Sequence, residues 1–238
     1  MAGMRAPVRA VSFDAGNTLV RVKGAVGEVY AAVARRHGVA VDGARLDHLF
    51  REVFAEAKGS FLTRVSRPHS PERERAWWRA LVVEVFHRAG APGPGAARFE
   101  AFFDELYAAF ARPEHWELFP DVLPCLEALA ERGIPAAVVS NWDSRLSPVL
   151  AGLGLAGRFR FVLTSAEFGA EKPDPTIFTE AVRRLGVPRH SVLHVGDLWR
   201  EDVEGARAAG LQAIHLVRDR PERAPEAVGD LRELLERL

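Results

Sequence analysis

Two patterns of hydrophobic spacing divide this chain. Between about residues 21 and 115, apolar residues recur at intervals of three and four, which predicts amphipathic helices. Four such faces are present, running from Val26 to Ala34, Leu46 to Ala57, Trp77 to Val85 and Phe99 to Phe110. The Gly- and Pro-rich stretch 90–95 separates the last two faces. This part of the sequence therefore predicts a unit of four helices.

From about residue 119 onward, short apolar runs alternate with helical patterns. Gly133, Gly186 and Gly210 stand where the C-terminal caps of helices belong. Strands that alternate with helices predict a parallel sheet covered on both faces, with right-handed crossovers. The predicted strands are 135–140, 159–164, 191–195 and 211–216, and the predicted helices are 121–132, 144–153, 175–186 and 200–209.

One further predicted strand, 8–13, precedes the four helices and lies far from the other strands in the sequence. The simplest topology inserts the helical unit into the α/β domain directly after this first strand. We therefore expect an α/β fold whose Rossmann-like parallel sheet is formed by residues 1–20 and 116–238. Residues 21–115 are expected to form the inserted helical domain.

Composition narrows the functional classes. The 238 residues are 48% hydrophobic and carry a formal net charge of +0, so no overall field favours a nucleic acid or an anionic membrane as partner. A single cysteine, Cys125, excludes an internal disulfide and a multi-cysteine metal site. No apolar run has the length of a membrane span, and no secretory signal precedes the first strand. We expect a cytoplasmic protein.

Polar residues follow several predicted strands at the point where each strand ends. The carboxyl ends of parallel strands meet at one edge of a sheet, which is where ligands bind in open α/β folds. Lysine is rare in this chain, so a lysine in a loop at this edge stands out. The residues expected at the edge are Asp14, Ser140, Asn141, Lys172, Asp197 and Asp202.

Such a set of residues can bind a phosphorylated ligand together with a hard divalent cation. Mg²⁺ prefers carboxylates, carbonyls and waters, which Asp14, Asp197 and the carbonyl of Gly16 can supply. Asp202 is placed to act on the ion either directly or through a water. Phosphoryl oxygens can be held by helix N-termini and by the side chains of Ser140, Asn141 and Lys172.

Each of these residues also has an ordinary structural interpretation. Ser140 and Asn141 are common turn formers. Asp202 can simply stabilise the N-terminus of the predicted helix 200–209. His194, which lies inside an apolar strand, is interpreted as a core histidine. The combination of polar residues and its order along the strands is what favours an active site.

Four segments of this set resemble the motifs of the haloacid dehalogenase-like hydrolases, specifically subfamily I, which carries a helical cap of the first type. These segments are D-A-G-N-T-L at 14–19, S-N-W-D at 140–143, E-K-P-D-P at 171–175 and G-D-L-W-R-E-D at 196–202. The resemblance implies that residues 21–115 are the cap.

The resemblance also implies roles for individual residues. Asp14 is expected to attack a small phosphorylated substrate and form an aspartyl-phosphate, with Lys172 as the second catalytic residue. The implied substrate contacts are Thr18, Ser140, Asn141 and Lys172. The implied Mg²⁺ ligands are Asp14, Gly16, Asp197 and Asp202.

The resemblance breaks at Gly16. The family's phosphatases have a second aspartate there, which protonates the leaving oxygen and then activates water. Glycine can do neither, although its carbonyl oxygen can still coordinate a metal. The main hypothesis is a Mg²⁺-dependent phosphohydrolase that favours acyl or aryl phosphates, because their leaving groups need little protonation.

Two alternatives stay open. One is a phosphonatase-like enzyme that cleaves a C–P bond with Lys58, inside the helical insertion, as a Schiff base. The other is a catalytically weak homologue that binds a phosphorylated ligand or a protein. A dehalogenase is disfavoured because Asp197 and Asp202 are retained, whereas dehalogenases typically lose this acidic pair.

Overall fold

A computed structural model of the protein describes residues 6–57, 70–91, 96–218, 224 and 227–238. The chain divides into two compact units. One comprises Met1–Arg21, Leu118–Asp143 and Leu153–Leu238, and the other comprises Val22–Glu117 and Ser144–Gly152. We call the first the α/β unit and the second the helical unit.

The α/β unit is built on a five-stranded sheet in which every pair of neighbouring strands is parallel. The strands are β1 (Ala10–Phe13), β4 (Ala136–Ser140), β5 (Val162–Thr164), β6 (Val192–Gly196) and β7 (Gln212–His215). Their order in the sheet is β5-β4-β1-β6-β7. The parallel Rossmann-like sheet expected from the sequence is therefore confirmed.

The first strand occupies the centre of this sheet. Ser12 of β1 is in register with Ala137 of β4 on one side and with His194 of β6 on the other. All four residues of β1 are buried, so its apolar run has both faces covered. Segments more than 120 residues apart in the sequence are thus brought to neighbouring positions.

Helices connect the strands of the α/β unit. Gly186, with φ 71°, ends the helix Pro175–Leu185 in the left-handed conformation that glycine adopts without a Cβ clash. Ile177 and Phe178 of this helix share a buried cluster with Val139 and Leu163 of the sheet. The helices are α5 (Val122–Glu131), α7 (Ser165–Phe168), α8 (Pro175–Leu185) and α9 (Gly205–Ala208), with 3₁₀ turns at Arg189–Ser191 and Leu231–Glu236.

Two predicted helices have different internal geometry. Residues predicted as one helix over 144–153 form α6 (Leu146–Leu150) followed by the π-helical segment Ala151–Leu155, which contains Gly154 at φ 81°. Residues predicted as one helix over 200–209 form the π-helical segment Trp199–Glu204 followed by α9.

The helical unit contains α1 (Val26–Arg36), α2 (Gly43–Ala57), α3 (Pro71–Arg88) and α4 (Ala96–Ala109). Tyr30 of α1 lies at the centre of its aromatic core, with the rings of Phe50, Phe86 and Phe110 at centroid distances of 5.7, 6.4 and 5.8 Å. The apolar faces predicted for these helices therefore meet in one core.

Residues 144–152, expected in the α/β domain, are grouped with the helical unit. Ser144 Oγ donates a hydrogen bond to the buried carboxylate of Glu74 in α3 at 3.0 Å. The guanidinium of Arg145 lies over the ring of Tyr107 at 4.1 Å. These contacts bind the start of the segment to α3 and α4.

Two short strands, β2 (Val20–Val22) and β3 (Trp116–Leu118), form a separate two-stranded sheet. A 3₁₀ turn, Pro113–His115, precedes β3. Among the described residues, no helix combines the length and the apolar character needed to cross a membrane.

Candidate active site

Three adjacent strands deliver polar side chains to the carboxyl edge of the sheet. Asp14 directly follows β1, Ser140 is the last residue of β4, and Asp197 directly follows β6. Ser140 Oγ donates a hydrogen bond to Asp14 Oδ1 at 2.8 Å. The order β4-β1-β6 therefore places Asp14 in the middle of the cluster.

Lys172 bridges two of the carboxylates in this cluster. Its Nζ lies 2.6 Å from Asp14 Oδ1 and 2.5 Å from Asp202 Oδ1, and the residue is only 3% exposed. An ammonium held between two carboxylates at these distances is fixed in position, because each charge compensates the burial of the other. Lys172 thus joins the loop before α8 to the end of β1 and to the π-helical segment Trp199–Glu204.

Asn141 holds the main chain of Lys172. The Lys172 amide donates to Asn141 Oδ1 at 2.7 Å, and Asn141 Nδ2 donates to the Lys172 carbonyl at 2.9 Å. The side-chain amide is thus engaged at both ends. In this arrangement Asn141 positions Lys172, and the direct phosphoryl contact expected from the sequence stays a prediction.

The position of Asp202 depends on Gly196. A Cβ at residue 196 would lie 2.2 Å from Asp202 Cγ, so the carboxylate packs against the strand end in space that only glycine leaves open. The amide of Leu198 donates to Asp202 Oδ2 at 2.9 Å, and the Asp202 amide donates to the Leu198 carbonyl at 2.8 Å. The spacing of the G-D-x-x-x-x-D segment is thereby explained.

Two buried residues that the sequence analysis did not assign to the site extend this network. His194 Nε2 lies 3.2 Å from Asp202 Oδ1, and its Nδ1 lies 2.9 Å from Ser12 Oγ. Both residues are fully buried. His194 is a core residue, as interpreted, but it also supports Asp202. The sequence signal that could have revealed Ser12 and His194 is that each is a polar residue inside an otherwise apolar strand.

Charge is unbalanced in this cluster, because three carboxylates face one ammonium. Burial raises the pKa of Asp14, although Lys172 opposes this effect. Burial and the negative charges of Asp14 and Asp202 raise the pKa of Asp197 to about 7. Burial also acts to raise the pKa of Asp202, but the charge of Lys172 and the hydrogen bond from His194 prevail and lower it.

The same carboxylates determine the state of the lysine. Burial acts to lower the pKa of Lys172, but the adjacent charges of Asp14 and Asp202 outweigh it and raise the pKa above its ordinary value. Lys172 is therefore a fixed cation and not a proton donor near neutral pH.

The donor set fits a hard divalent cation. Carboxylate oxygens of Asp14, Asp197 and Asp202 lie within 4.8 Å of one another, and their excess negative charge is what such an ion neutralises. Both oxygens of Asp202 already accept hydrogen bonds from Lys172 and Leu198. No described residue donates a hydrogen bond to the carbonyl of Gly16, so this oxygen is free to act as a ligand. Asp14 Oδ2 likewise accepts no hydrogen bond from a described residue.

Gly16 faces an aromatic ring. A Cβ built on Gly16 would lie 3.4 Å from Cζ3 and 4.0 Å from Cε3 of Trp142. The indole of Trp142 therefore borders the space that a side chain at residue 16 would enter. These distances are ordinary van der Waals contacts.

Thr18, expected to contact the substrate, makes no hydrogen bond to this cluster through its side chain. The side chain of Thr18 is fully buried, and its Oγ1 has no hydrogen-bond partner among the described residues. The Thr18 carbonyl instead accepts a hydrogen bond from Arg218 Nη2 at 2.6 Å. Lys58 lies outside the described residues.

Comparison with known proteins relates these features to a family. The sequence model described as "haloacid dehalogenase-like hydrolase" matches residues 8–210. The chain is 36% identical to the Danio rerio protein named haloacid dehalogenase-like hydrolase domain-containing protein 3, over 90% of this chain and 87% of that protein. It is also 36% identical to a protein of Thermus thermophilus named phosphoserine phosphatase, over 80% and 82% of the two chains.

Solved structures show the same fold. The structure of L-2-haloacid dehalogenase from Xanthobacter autotrophicus is similar with a TM-score of 0.72 and 22% identity, over 96% of this chain and 97% of that chain. At this identity the similarity establishes the fold and carries no information on the reaction.

Proposed function

Because the chain belongs to the haloacid dehalogenase-like hydrolases, we propose that it is a Mg²⁺-dependent phosphohydrolase with Asp14 as its nucleophile. The observation that carries this proposal is the bridge from Lys172 Nζ to Asp14 Oδ1, at 2.6 Å, beside the acidic residues Asp197 and Asp202. A relative named phosphoserine phosphatase supports a small phosphorylated substrate.

The metal would be held by the carboxylates of Asp14 and Asp197 and by the carbonyl of Gly16. Asp202, whose oxygens are engaged by the protein, would reach the ion through a water. Bound Mg²⁺ supplies positive charge for the phosphoryl oxygens. Ser140 and Lys172 hold Oδ1 of Asp14, which leaves Oδ2 to act as nucleophile.

The reaction has two displacement steps. Asp14 Oδ2 attacks phosphorus, and the bond from phosphorus to the leaving oxygen breaks with its electron pair retained by the leaving group. Water then attacks the phosphorus of the aspartyl-phosphate, which releases inorganic phosphate, regenerates Asp14 and returns a proton to solvent. Since Gly16 cannot protonate the leaving oxygen, leaving groups of low basicity are favoured.

The test is a panel of phosphate esters and anhydrides with and without Mg²⁺. Asp14→Asn should abolish the metal-dependent release of phosphate. The matched control is Asp104→Asn, on α4, where the side chain is 60% exposed and the substitution should leave turnover unchanged. Turnover that survives Asp14→Asn would contradict the proposal, and so would the absence of turnover on every compound by the wild-type protein.

A further inference from the structure

Trp142 connects two residues of the proposed reaction centre. It lies two residues beyond Ser140, which donates a hydrogen bond to Asp14. Its indole borders Gly16, which lies two residues beyond Asp14 in the loop that follows the neighbouring strand β1. The ring therefore lies beside residue 16, where a longer side chain would face the leaving group in the proposed reaction.

The main chain of Trp142 is held on two sides. Its amide donates to the Ser140 carbonyl at 3.0 Å. Its carbonyl accepts from the amide of Ala166 at 3.2 Å and from Ser165 Oγ at 3.3 Å, both at the start of α7. The indole is thus carried on backbone fixed to β4 and to α7, while the residue remains half-buried and keeps part of its surface accessible.

Gly16 and Trp142 together change what this side of the site offers a substrate. Glycine removes the group that could protonate a departing oxygen, so the leaving group must be a weak base. The indole provides a planar apolar surface, which aromatic groups contact in stacked or edge-on arrangements. A phosphorylated phenol satisfies both conditions, because an aryloxide is weakly basic and its ring is planar and apolar.

We propose that Trp142 is a specificity-determining residue whose indole receives the leaving group, and that the preferred substrates are aryl phosphates. This inference rests on the proposed function, since it assigns the substrate class of the same site. The inference gives the leaving group two distinct requirements, namely low basicity and an aromatic shape.

The test compares kcat/KM for phenyl phosphate, 4-nitrophenyl phosphate and acetyl phosphate. Acetyl phosphate is the matched substrate, because its leaving group is a weak base but has no ring. Trp142→Ala should lower kcat/KM for both aryl phosphates at least about tenfold and change that for acetyl phosphate by less than about threefold. Trp142→Phe, which keeps an aromatic ring, should restore most of the loss.

An equal loss on all three substrates would overturn the inference, because it would show a structural role only. Trp142→Leu, which keeps apolar bulk without a planar ring, gives the same comparison if the alanine variant does not fold. Turnover that depends on Asp14 but has an unchanged aryl-to-acetyl ratio in these variants overturns this inference alone. If the wild-type protein hydrolyses neither these three compounds nor any other phosphoryl compound, the proposed function is overturned as well.

Discussion

Residue 16 determines how the proposed site can handle a proton. Asp14 and Lys172 are present as in a phosphohydrolase, but none of the groups that donate a hydrogen bond to Asp14 can also protonate a leaving oxygen. Ser140 is a poor acid, and Lys172 is held as a cation by two carboxylates. In the proposed reaction the missing carboxyl at Gly16 would therefore favour leaving groups that depart as anions.

Restoring a carboxyl at this position should widen the substrate range. Gly16→Asp should raise kcat/KM for alkyl phosphates, whose leaving groups are strong bases, by at least about tenfold, because general acid catalysis is worth roughly 10²–10⁴ in rate. The added Cβ would lie 3.4 Å from Trp142, in ordinary van der Waals contact. Steady-state kinetics on ethyl and phenyl phosphate measure the effect.

Gly16→Ala is the control for this substitution, since it adds the same Cβ without a carboxyl. It should leave the ratio of alkyl to aryl turnover unchanged. If Gly16→Asp is folded and its turnover of ethyl phosphate is equal to or below that of Gly16→Ala, the missing acid is not what limits the reaction.

Individual residues differed in how far the sequence could predict them. Asp14, Ser140 and Asp197 could be placed because each stands at the end of a strand in a parallel sheet. The contacts of Asn141 and His194 could not be placed, because their partners, Lys172 and Asp202, lie in a loop and a helical segment whose approach depends on the folded backbone. The roles of all these residues in a reaction stay predictions.

At the level of elements, the side chain of Arg218 connects the loop after β1 to other segments of the α/β unit. Arg218 donates hydrogen bonds to the carbonyls of Asn17 and Thr18 and to Asp121 Oδ2, which lies at the N-terminus of α5. Asp121 Oδ2 also accepts from the amide of Leu231 in the C-terminal 3₁₀ turn. Three segments therefore depend on one buried ion pair.

Breaking this ion pair should be more costly than removing both partners. Arg218→Met leaves Asp121 buried with its charge uncompensated and should lower the free energy of unfolding by about 3–5 kcal/mol. Arg218→Met combined with Asp121→Asn should recover at least about 1 kcal/mol of that loss. Urea denaturation of the two single variants and the double variant measures the coupling. Strictly additive effects would mean that the two side chains act independently.

Secondary structure was predicted well in position and less well in type. The five strands of the parallel sheet lie where the apolar runs predict them, because strands buried on both faces have a distinctive composition, whereas the short strands β2 and β3 were not predicted. The π-helical geometry at Trp199–Glu204 was missed, because hydrophobic spacing reports the face of a helix and not the width of its turns. The mutual hydrogen bonds between Leu198 and Asp202 show the tertiary contact that this turn serves.

For the whole molecule, the balance of charge conceals a local excess. Thirty-two basic and 32 acidic residues cancel in the composition. The cluster of Asp14, Asp197 and Asp202 nevertheless holds three carboxylates against the single ammonium of Lys172. Composition gives no net field that would favour a nucleic acid, and only the topology of the sheet, with β1 between β4 and β6, could reveal this local concentration of charge.

This excess should make the stability of the metal-free protein depend on pH. The pKa of Asp197 is about 7 in the folded protein, above its ordinary value of 3.8. Between about pH 4 and 7 the folded state therefore keeps a proton that the unfolded state has released, so the free energy of unfolding falls as the pH rises. In EDTA we expect the wild-type protein to lose roughly 2–4 kcal/mol more stability between about pH 5 and 8 than Asp197→Asn.

Mg²⁺ should reverse this loss at the upper end of the range, because it binds the ionised carboxylates of the folded state only. At a concentration about 100 times the dissociation constant, the ion should add about 2.7 kcal/mol to the stability of the wild-type protein. Asp197→Asn should lose most of that gain, whereas Asp104→Asn, remote in sequence and exposed, should keep it. Urea denaturation at both pH values, in EDTA and in Mg²⁺, measures each difference. If the stability of the wild-type protein in EDTA follows that of Asp197→Asn across the pH range, the pKa of Asp197 is not raised in the folded state.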